Sequence, residues 1–254
     1  MKPASGFVLE ANNQYYLITN RHVLSGTNMP ADGEQEPVME PHILKTSIHT
    51  YDGQGENIVP LYMGARRRIT VQLYYDNDTP KWIEHRANTH QPMADVVALP
   101  LPLDEILRFN QTIRVFREEI LRSKINTNAN YWSRISAIPI SVIDTEVEYC
   151  PPDTVHIIGY PLGWAPAGTN QSSSAFWRTS SIASEIQQPG MTQAHAFFVD
   201  PCAPDGMAGS PVVGMKKDRI KLLGVYSDRS TAEFGANAGL VWDAYLVKDL
   251  ISAS

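Results

Sequence analysis

The sequence predicts an all-β chain of the barrel or sandwich kind, on three observations. Helical periodicity of 3.6 is scarce along the 254 residues. Short runs rich in β-branched and aromatic residues recur between turn residues, which is the pattern of strands. Few helical segments separate these runs, whereas a parallel α/β sheet would need one after almost every strand.

In chain order the runs are "GFVLE", "QYYLITN", "RITVQLYY", "KWIEHR", "DVVALPL", "TVHIIGY", "AHAFFVD", "SPVVGM" and "IKLLGVYS". Two stretches read instead as helix, "LDEILRFNQTIRVFREEILRSK" near the middle and "VWDAYLVKDLISAS" at the end. The second carries Val241, Tyr245, Leu246 and Ile251 on roughly one face, so it is expected to dock on the body of the protein. Pro100, Pro102, a polar stretch from Asn126 to Asn130, and then Pro139, Pro151 and Pro152 mark a connection between two β-rich halves. The expected division is an N-terminal unit over 1–105, a linker with a helical segment over 106–144, and a C-terminal unit over 145–254.

A hydrophobic fraction of 43% and a charged fraction of 19% are those of a folding globular chain. The formal net charge of −6, with only 21 Lys and Arg, argues against nucleic acid as a partner, because phosphate binding needs a concentrated basic surface. Arg66, Arg67 and Arg68 are too short a basic run to change that. Cys150 and Cys202 are too few for a disulfide framework and read as two free thiols. No signal pattern or apolar run long enough for a membrane span occurs, so no membrane partner is expected and the expected location is the cytoplasm. No histidine falls in a metal-binding spacing, and no phosphate-binding glycine motif is present, so neither metal nor other cofactor is expected.

Three stretches bear on chemistry: "LITNRHVLSG" with His22, "MADVVALPLP" with Asp95, and "DGMAGSPVVG" from Asp205 to Gly214. Each falls where a strand meets a loop, the position from which rigid scaffolds present reactive groups. Singly, each is compatible with an ordinary structural role. Their joint order, His then Asp then a glycine-rich turn, is what narrows the reading.

On these residues the sequence resembles the trypsin-like (chymotrypsin-type) serine peptidases, above all the bacterial cytoplasmic members and the protease domain of the HtrA group. "ITNRHVLSG" is similar to the family's segment around the base histidine and "ADVVALPL" to that of the triad aspartate. "GYPLGW" and "RTSSIASE" are similar to the start of the second barrel, and "DGMAGSPVVG" to the nucleophile turn. The resemblance runs from about Phe7 to Val247. It implies two six-stranded antiparallel β-barrels with a C-terminal helix, the first carrying His22 and Asp95 and the second the nucleophile turn.

It also implies roles. His22 is the general base, Asp95 the residue that orients it, and position 208 the nucleophile, which here is Ala208. A serine hydroxyl is hardly ionised at neutral pH, so an imidazole must take its proton during attack, and a carboxylate on the other ring nitrogen fixes the tautomer. In the family pattern a proline stands three residues after the nucleophile, and Pro211 therefore points to 208; Ser210, directly before Pro211, is the rival position. The family's serine beside the buried aspartate corresponds to Ser227, nineteen residues beyond 208 with no gap. The oxyanion-hole donors would be the amides of Gly206 and Ala208.

Met207 stands where trypsin keeps an acid that pairs with a newly cut N-terminus, so activation by clipping is not expected. Cys202 occupies the position of trypsin's specificity acid, and the strand Ser227, Asp228 and Arg229 is where an extended peptide would pair. The resemblance thus implies a protein or peptide substrate, and partner proteins of a stress or defence system. Two functions compete: a serine endopeptidase carrying Ser→Ala at 208, and a natural pseudoprotease that binds peptides without cutting them.

Overall fold

The computed structural model describes residues 4–26, 43–51, 66–85, 94–101, 134–135, 137–143, 149–161, 175–185, 195–216, 219–229 and 238–252. The helical stretch expected in the middle of the chain, residues 103–124, lies outside the described residues.

The N-terminal half opens with a hairpin, β1 (Phe7–Ala11) and β2 (Gln14–Thr19), whose turn is Asn12-Asn13 with both φ positive, at 50° and 60°. Asparagine tolerates that region because its side chain bonds locally, and a turn of this hand matches the twist of the strands it joins. There follow α1 (Arg21–Ser25), β3 (Ile43–Tyr51), β4 (Arg66–Gln72), β5 (Ile83–Glu84), β6 (Val97–Leu101), β7 (Arg134–Ile135) and β8 (Ala137–Pro139), the last running into a short 3-10 turn at Ile140–Val142. Five of these strands form one sheet in the order β5-β6-β2-β1-β8, and β4-β3-β7 form a second. Within the first sheet β1 and β8 pair parallel, the other pairs antiparallel.

The C-terminal half is a closed six-stranded antiparallel barrel in the order β10-β11-β14-β13-β12-β9. Its strands are β9 (Thr154–Gly159), β10 (Phe176–Ile182), β11 (Ala196–Asp200), β12 (Pro211–Lys216), β13 (Arg219–Arg229) and β14 (Gly239–Asp243). A helix, α2 (Ala244–Ser252), follows. The all-β class, a closed six-stranded barrel and a C-terminal helix are thus all present. Among the described residues the first half appears as the two sheets above, and no helix is long and apolar enough to cross a membrane.

Side-chain alternation along the strands builds three apolar clusters. Val8, Leu17, Leu24, Val97, Leu99 and Leu101 fill the N-terminal half. Val155, Ile157, Phe197, Val199, Val212 and Val241 fill the barrel. The opposite faces of the same strands, with Phe7, Leu9 and Ile18 from one half and Ile158, Val213, Val225 and Trp242 from the other, meet in the third cluster, which α2 closes with Leu246, Val247, Leu250 and Ile251. Strands β1 and β2 are therefore buried on both faces, which explains why "FVLEA" and "YYLIT" lack a clean apolar-polar alternation.

The C-terminal helix is shorter than its apolar pattern suggests. Val241 lies on β14, paired with Phe197 and Tyr226, and Asp243 caps the helix by accepting the N–H of Tyr245 at 2.9 Å. Tyr245 faces outward, 44% exposed, with its ring 5.2 Å from that of His195.

Candidate active site

His22 sits in the first turn of α1, directly after β2. Asn20 takes the cap position in extended conformation, and Gly26 ends the helix with φ 73°, its N–H bonded to the carbonyl of His22 at 3.0 Å. Only glycine adopts that conformation at low cost, which accounts for "HVLSG" ending where it does. The neighbouring Arg21 donates from Nε to Glu84 Oε2 at 3.0 Å, and Trp82 Nε1 donates to the same oxygen.

Asp95 lies just ahead of β6 and is buried. Its carboxylate accepts three bonds: from His22 Nδ1–H on Oδ2 at 2.7 Å, from the amide N–H of His22 on Oδ1 at 3.0 Å, and from the Ser227 hydroxyl on Oδ2 at 3.0 Å. Its carbonyl accepts from Asn20 Nδ2 at 2.7 Å. A buried carboxylate would be costly without such partners; here both oxygens are held. With Nδ1–H committed to Asp95, Nε2 is the ring atom left to exchange a proton. The His22 side chain keeps 22% of its surface exposed against 6% for Asp95, so the imidazole reaches solvent while its partner does not.

Burial alone would lower the pKa of His22, but the hydrogen bond to Asp95, the Asp95 charge and the Asp228 charge together outweigh it, and the imidazole lies above its ordinary value. The imidazolium is thereby favoured, as a base that must accept a proton requires.

Ser227 and Asp228 lie where the pairing of β13 with β14 slips by one residue, between Tyr226 and Arg229. Such a bulge re-aims side chains, and here the Ser227 hydroxyl reaches across from the barrel to Asp95 in the other half. Asp228 is exposed. Arg229 ends β13.

The turn ahead of β12 is two successive tight turns. Met207 N–H donates to Pro204 O at 3.3 Å, Ser210 N–H to Met207 O at 3.0 Å and Gly209 N–H to Tyr226 O at 2.8 Å. Gly206 and Gly209 have φ of 89° and 86°, values that only glycine takes readily. Among the described residues, the N–H groups of Gly206 and Ala208 donate to no acceptor, whereas the three amides between and after them all do. Ala208 is partly exposed, Met207 fully buried in the barrel core. Ser210, the rival position, is 0% exposed, with its hydroxyl against Gly159.

Two connections bring the turn towards His22. Tyr226, next to Ser227, bonds Gly209 and Ser210 through its backbone. On the other side Ser5 N–H donates to Ala208 O at 2.8 Å, and Ser5 O accepts from Thr19 Oγ1 at 2.9 Å, three residues before His22. A Cβ on Gly209 would collide with both Ser5 O and Thr19 Oγ1, so this turn and the end of β2 are in contact. His22, Asp95 and Ser227 are directly linked, and the turn that carries Gly206 and Ala208 is tied to them through Ser5 and Thr19 on one side and through Tyr226 on the other. Cys202 is a half-buried free thiol with no bond to any of these groups; its neighbour Ala203 bonds the Tyr226 hydroxyl at 3.1 Å. Cys150 is an exposed free thiol.

Ser5, Thr19, Asn20 and Tyr160 were not among the expected site residues. Thr19 and Asn20 stand inside the "ITNRHVLSG" stretch, where a buried polar pair ahead of a helix was a usable signal. Tyr160 stands inside "GYPLGW", where nothing marks its N–H as a partner for a distant hydroxyl, and Ser5 carried no signal of its own.

No protein-family model and no curated protein matches this chain. Among solved structures it is similar to the protease Rv3671c of M. tuberculosis. The inactive form of a serine-to-alanine mutant of that protein is 16% identical, with 98% of this chain and 80% of that chain covered and a TM-score of 0.44. The active form is 14% identical, with 98% and 72% covered and a TM-score of 0.45. The HtrA-type protease AlgW, in a variant with a tripeptide, is 12% identical, with 98% and 55% covered and a TM-score of 0.44.

Proposed function

We propose that this chain is built as a serine endopeptidase of the trypsin-like type, hydrolysing protein or peptide substrates, with its nucleophile position held by Ala208. The observation that carries the reading is the linked set His22, Asp95 and Ser227, assembled from both halves of the chain around one buried carboxylate. A carboxylate that fixes a neutral imidazole in the Nδ1–H tautomer is what a general base acting through Nε2 needs. The amides of Gly206 and Ala208, without acceptors among the described residues, are suited to stabilise the oxyanion of a tetrahedral intermediate.

In the serine form, His22 Nε2 would take the hydroxyl proton as position 208 attacks the scissile carbonyl, and would return it to the leaving amine. Water would then release the acyl group by the same proton path. Cys202, Ser227, Asp228 and Arg229 are proposed to line the substrate cleft, the last three as the strand on which an extended peptide pairs. The units 1–105, 106–144 and 145–254, a cytoplasmic bacterial setting and partners in a stress or defence system belong to the same proposal.

One observation favours a second reading. Ala208 itself lacks the hydroxyl, so the chain as it stands would bind peptide without acylation, as a pseudoprotease does. The two are separated by giving Ala208→Ser and the parent chain an unfolded protein substrate. Cleavage by the serine form alone supports the endopeptidase; peptide binding by the parent with no cleavage by either supports the binding module.

A further inference from the structure

We infer that Ser5 is a positioning residue for the amides of Gly206 and Ala208, an inference that rests on the endopeptidase reading. Ser5 is buried and makes four hydrogen bonds, each to a segment far away in sequence or to the strand beside it. Its hydroxyl donates to Gly206 O at 2.9 Å and accepts from Tyr160 N–H at 3.0 Å. Its N–H donates to Ala208 O at 2.8 Å, and its carbonyl accepts from Thr19 Oγ1 at 2.9 Å. One residue thus holds two carbonyls of the turn, the residue that directly follows β9 of the barrel, and the strand that leads to His22.

Peptide geometry turns those bonds into orientation. The N–H and C=O of one planar peptide unit point in opposite directions. In the unit joining Gly206 to Met207, the carbonyl is held by the Ser5 hydroxyl and the N–H by Pro204 O. In the unit joining Ala208 to Gly209, the carbonyl is held by Ser5 N–H and the N–H by Tyr226 O. Both units that flank Met207 and Ala208 are therefore pinned at both ends, with Ser5 at one end of each. Between them, Met207 O is taken by Ser210 N–H, which leaves the Ala208 N–H facing the other way. Gly206, at φ 89°, has the rotational freedom of glycine, and the Ser5 hydroxyl on its carbonyl limits it together with the Met207 N–H bond to Pro204 O.

Space around Ser5 is as constrained as its bonds. A Cβ on Gly159 would approach the Ser5 hydroxyl to 2.8 Å, and one on Gly209 would meet the Ser5 carbonyl. The two glycines let three backbone segments close around this one side chain. Nothing in the arrangement touches the reacting atoms, so Ser5 acts only through the turn.

The test uses the Ala208→Ser chain, with active sites counted by end-point labelling with a fluorophosphonate and turnover measured on a fluorogenic peptide. Adding Ser5→Ala should lower kcat per labelled site, by up to the roughly 10²- to 10³-fold that outright removal of one oxyanion donor costs. KM should stay near the parent value, and the acid limb of the pH profile, which reports His22, should not move. Ser5→Thr, which keeps the hydroxyl, should recover most of the activity. An unchanged kcat per labelled site, a rise in KM alone, or a Ser5→Thr chain as impaired as Ser5→Ala would overturn the inference.

Should Ser5→Ala fail to fold, Ser5→Cys, with a weaker hydrogen-bonding sulfur, should give a partial kcat loss, and full activity there would overturn it. If the Ala208→Ser chain neither labels nor cleaves, it is the endopeptidase reading that fails. The amide resonances of Gly206 and Ala208 then decide for Ser5 in the chain as it stands. They should shift in Ser5→Ala and return in Ser5→Thr; resonances indifferent to Ser5 would overturn it.

Discussion

Replacing Asp95 by Asn in the Ala208→Ser chain probes the core of the proposed mechanism. The carboxylate accepts three bonds, from His22 Nδ1–H, His22 N–H and the Ser227 hydroxyl, through two oxygens. An amide of the same shape has one acceptor oxygen and one NH₂ donor. If the oxygen keeps the His22 amide, the NH₂ group faces Nδ1 and Ser227. His22 must then carry its proton on Nε2, the atom required to accept one, and the negative charge that stabilises the imidazolium is gone. The same exchange in the serine-protease template lowers kcat by about 10⁴, equivalent to about 5.4 kcal/mol of barrier. The fold should survive, because the volume is kept and the lost bonds are worth on the order of 1–3 kcal/mol. Steady-state kinetics on a fluorogenic peptide, with folding checked by thermal denaturation, measures both. A folded Asp95→Asn chain within tenfold of its parent in kcat would refute the assignment of Asp95.

The remaining predictions concern titration, register and the helix. Because the His22 pKa is raised and the base must be neutral to act, kcat/KM of the Ala208→Ser chain should rise with pH through an inflection above about 6.5; Asp228→Asn should move that inflection down, and an inflection unmoved would show that the Asp228 charge does not reach His22. The stability that the paired imidazolium contributes has the opposite sense: it is fully present below about pH 6.5 and is lost as pH rises through the raised folded value. Ser210→Ala removes a buried hydroxyl that has no partner among the described residues, so urea denaturation should show stability unchanged or increased by about 1 kcal/mol, with activity of the serine form intact. Activity lost with Ser210 would point to it, rather than 208, as the nucleophile. Asp243→Ala deletes the cap of α2 and should cost about 1 kcal/mol in the same measurement, while Asp243→Asn, which can still accept the Tyr245 N–H, should cost less.

What could be read from the residues divides by range. His22, Asp95 and the turn were legible because each carries a local pattern, and counting from Pro211 and to Ser227 needed no contact between distant segments. Most strands were legible for the same reason, since β-branched runs between turn residues are local signals. The failures were tertiary. "GLVWDAYLVKDLISAS" is apolar at intervals that suit either a helix or a strand, and β14 exists because β11 and β13 pair with it on both sides. Strand β3, "ILKTSIHTY", carries charge and hydroxyls that weaken the pattern, and its pairing with β4 decides it. Ser5 is the clearest case: its hydroxyl meets Gly206 from 201 residues away, and nothing in "PASGF" announces a partner at that distance.

Position 208 is where acylation is assigned. Fluorophosphonate treatment of the Ala208→Ser chain, with the adduct located by peptide mass mapping, decides whether it occurs there. The removal of the serine from a comparable triad costs roughly 2 × 10⁶ in turnover, so the contrast with the parent should be nearly complete. One adduct per chain at residue 208, abolished by His22→Ala and absent from the parent, is the predicted result. No adduct on the folded serine form, or an adduct at Ser210 in either form, would contradict the account.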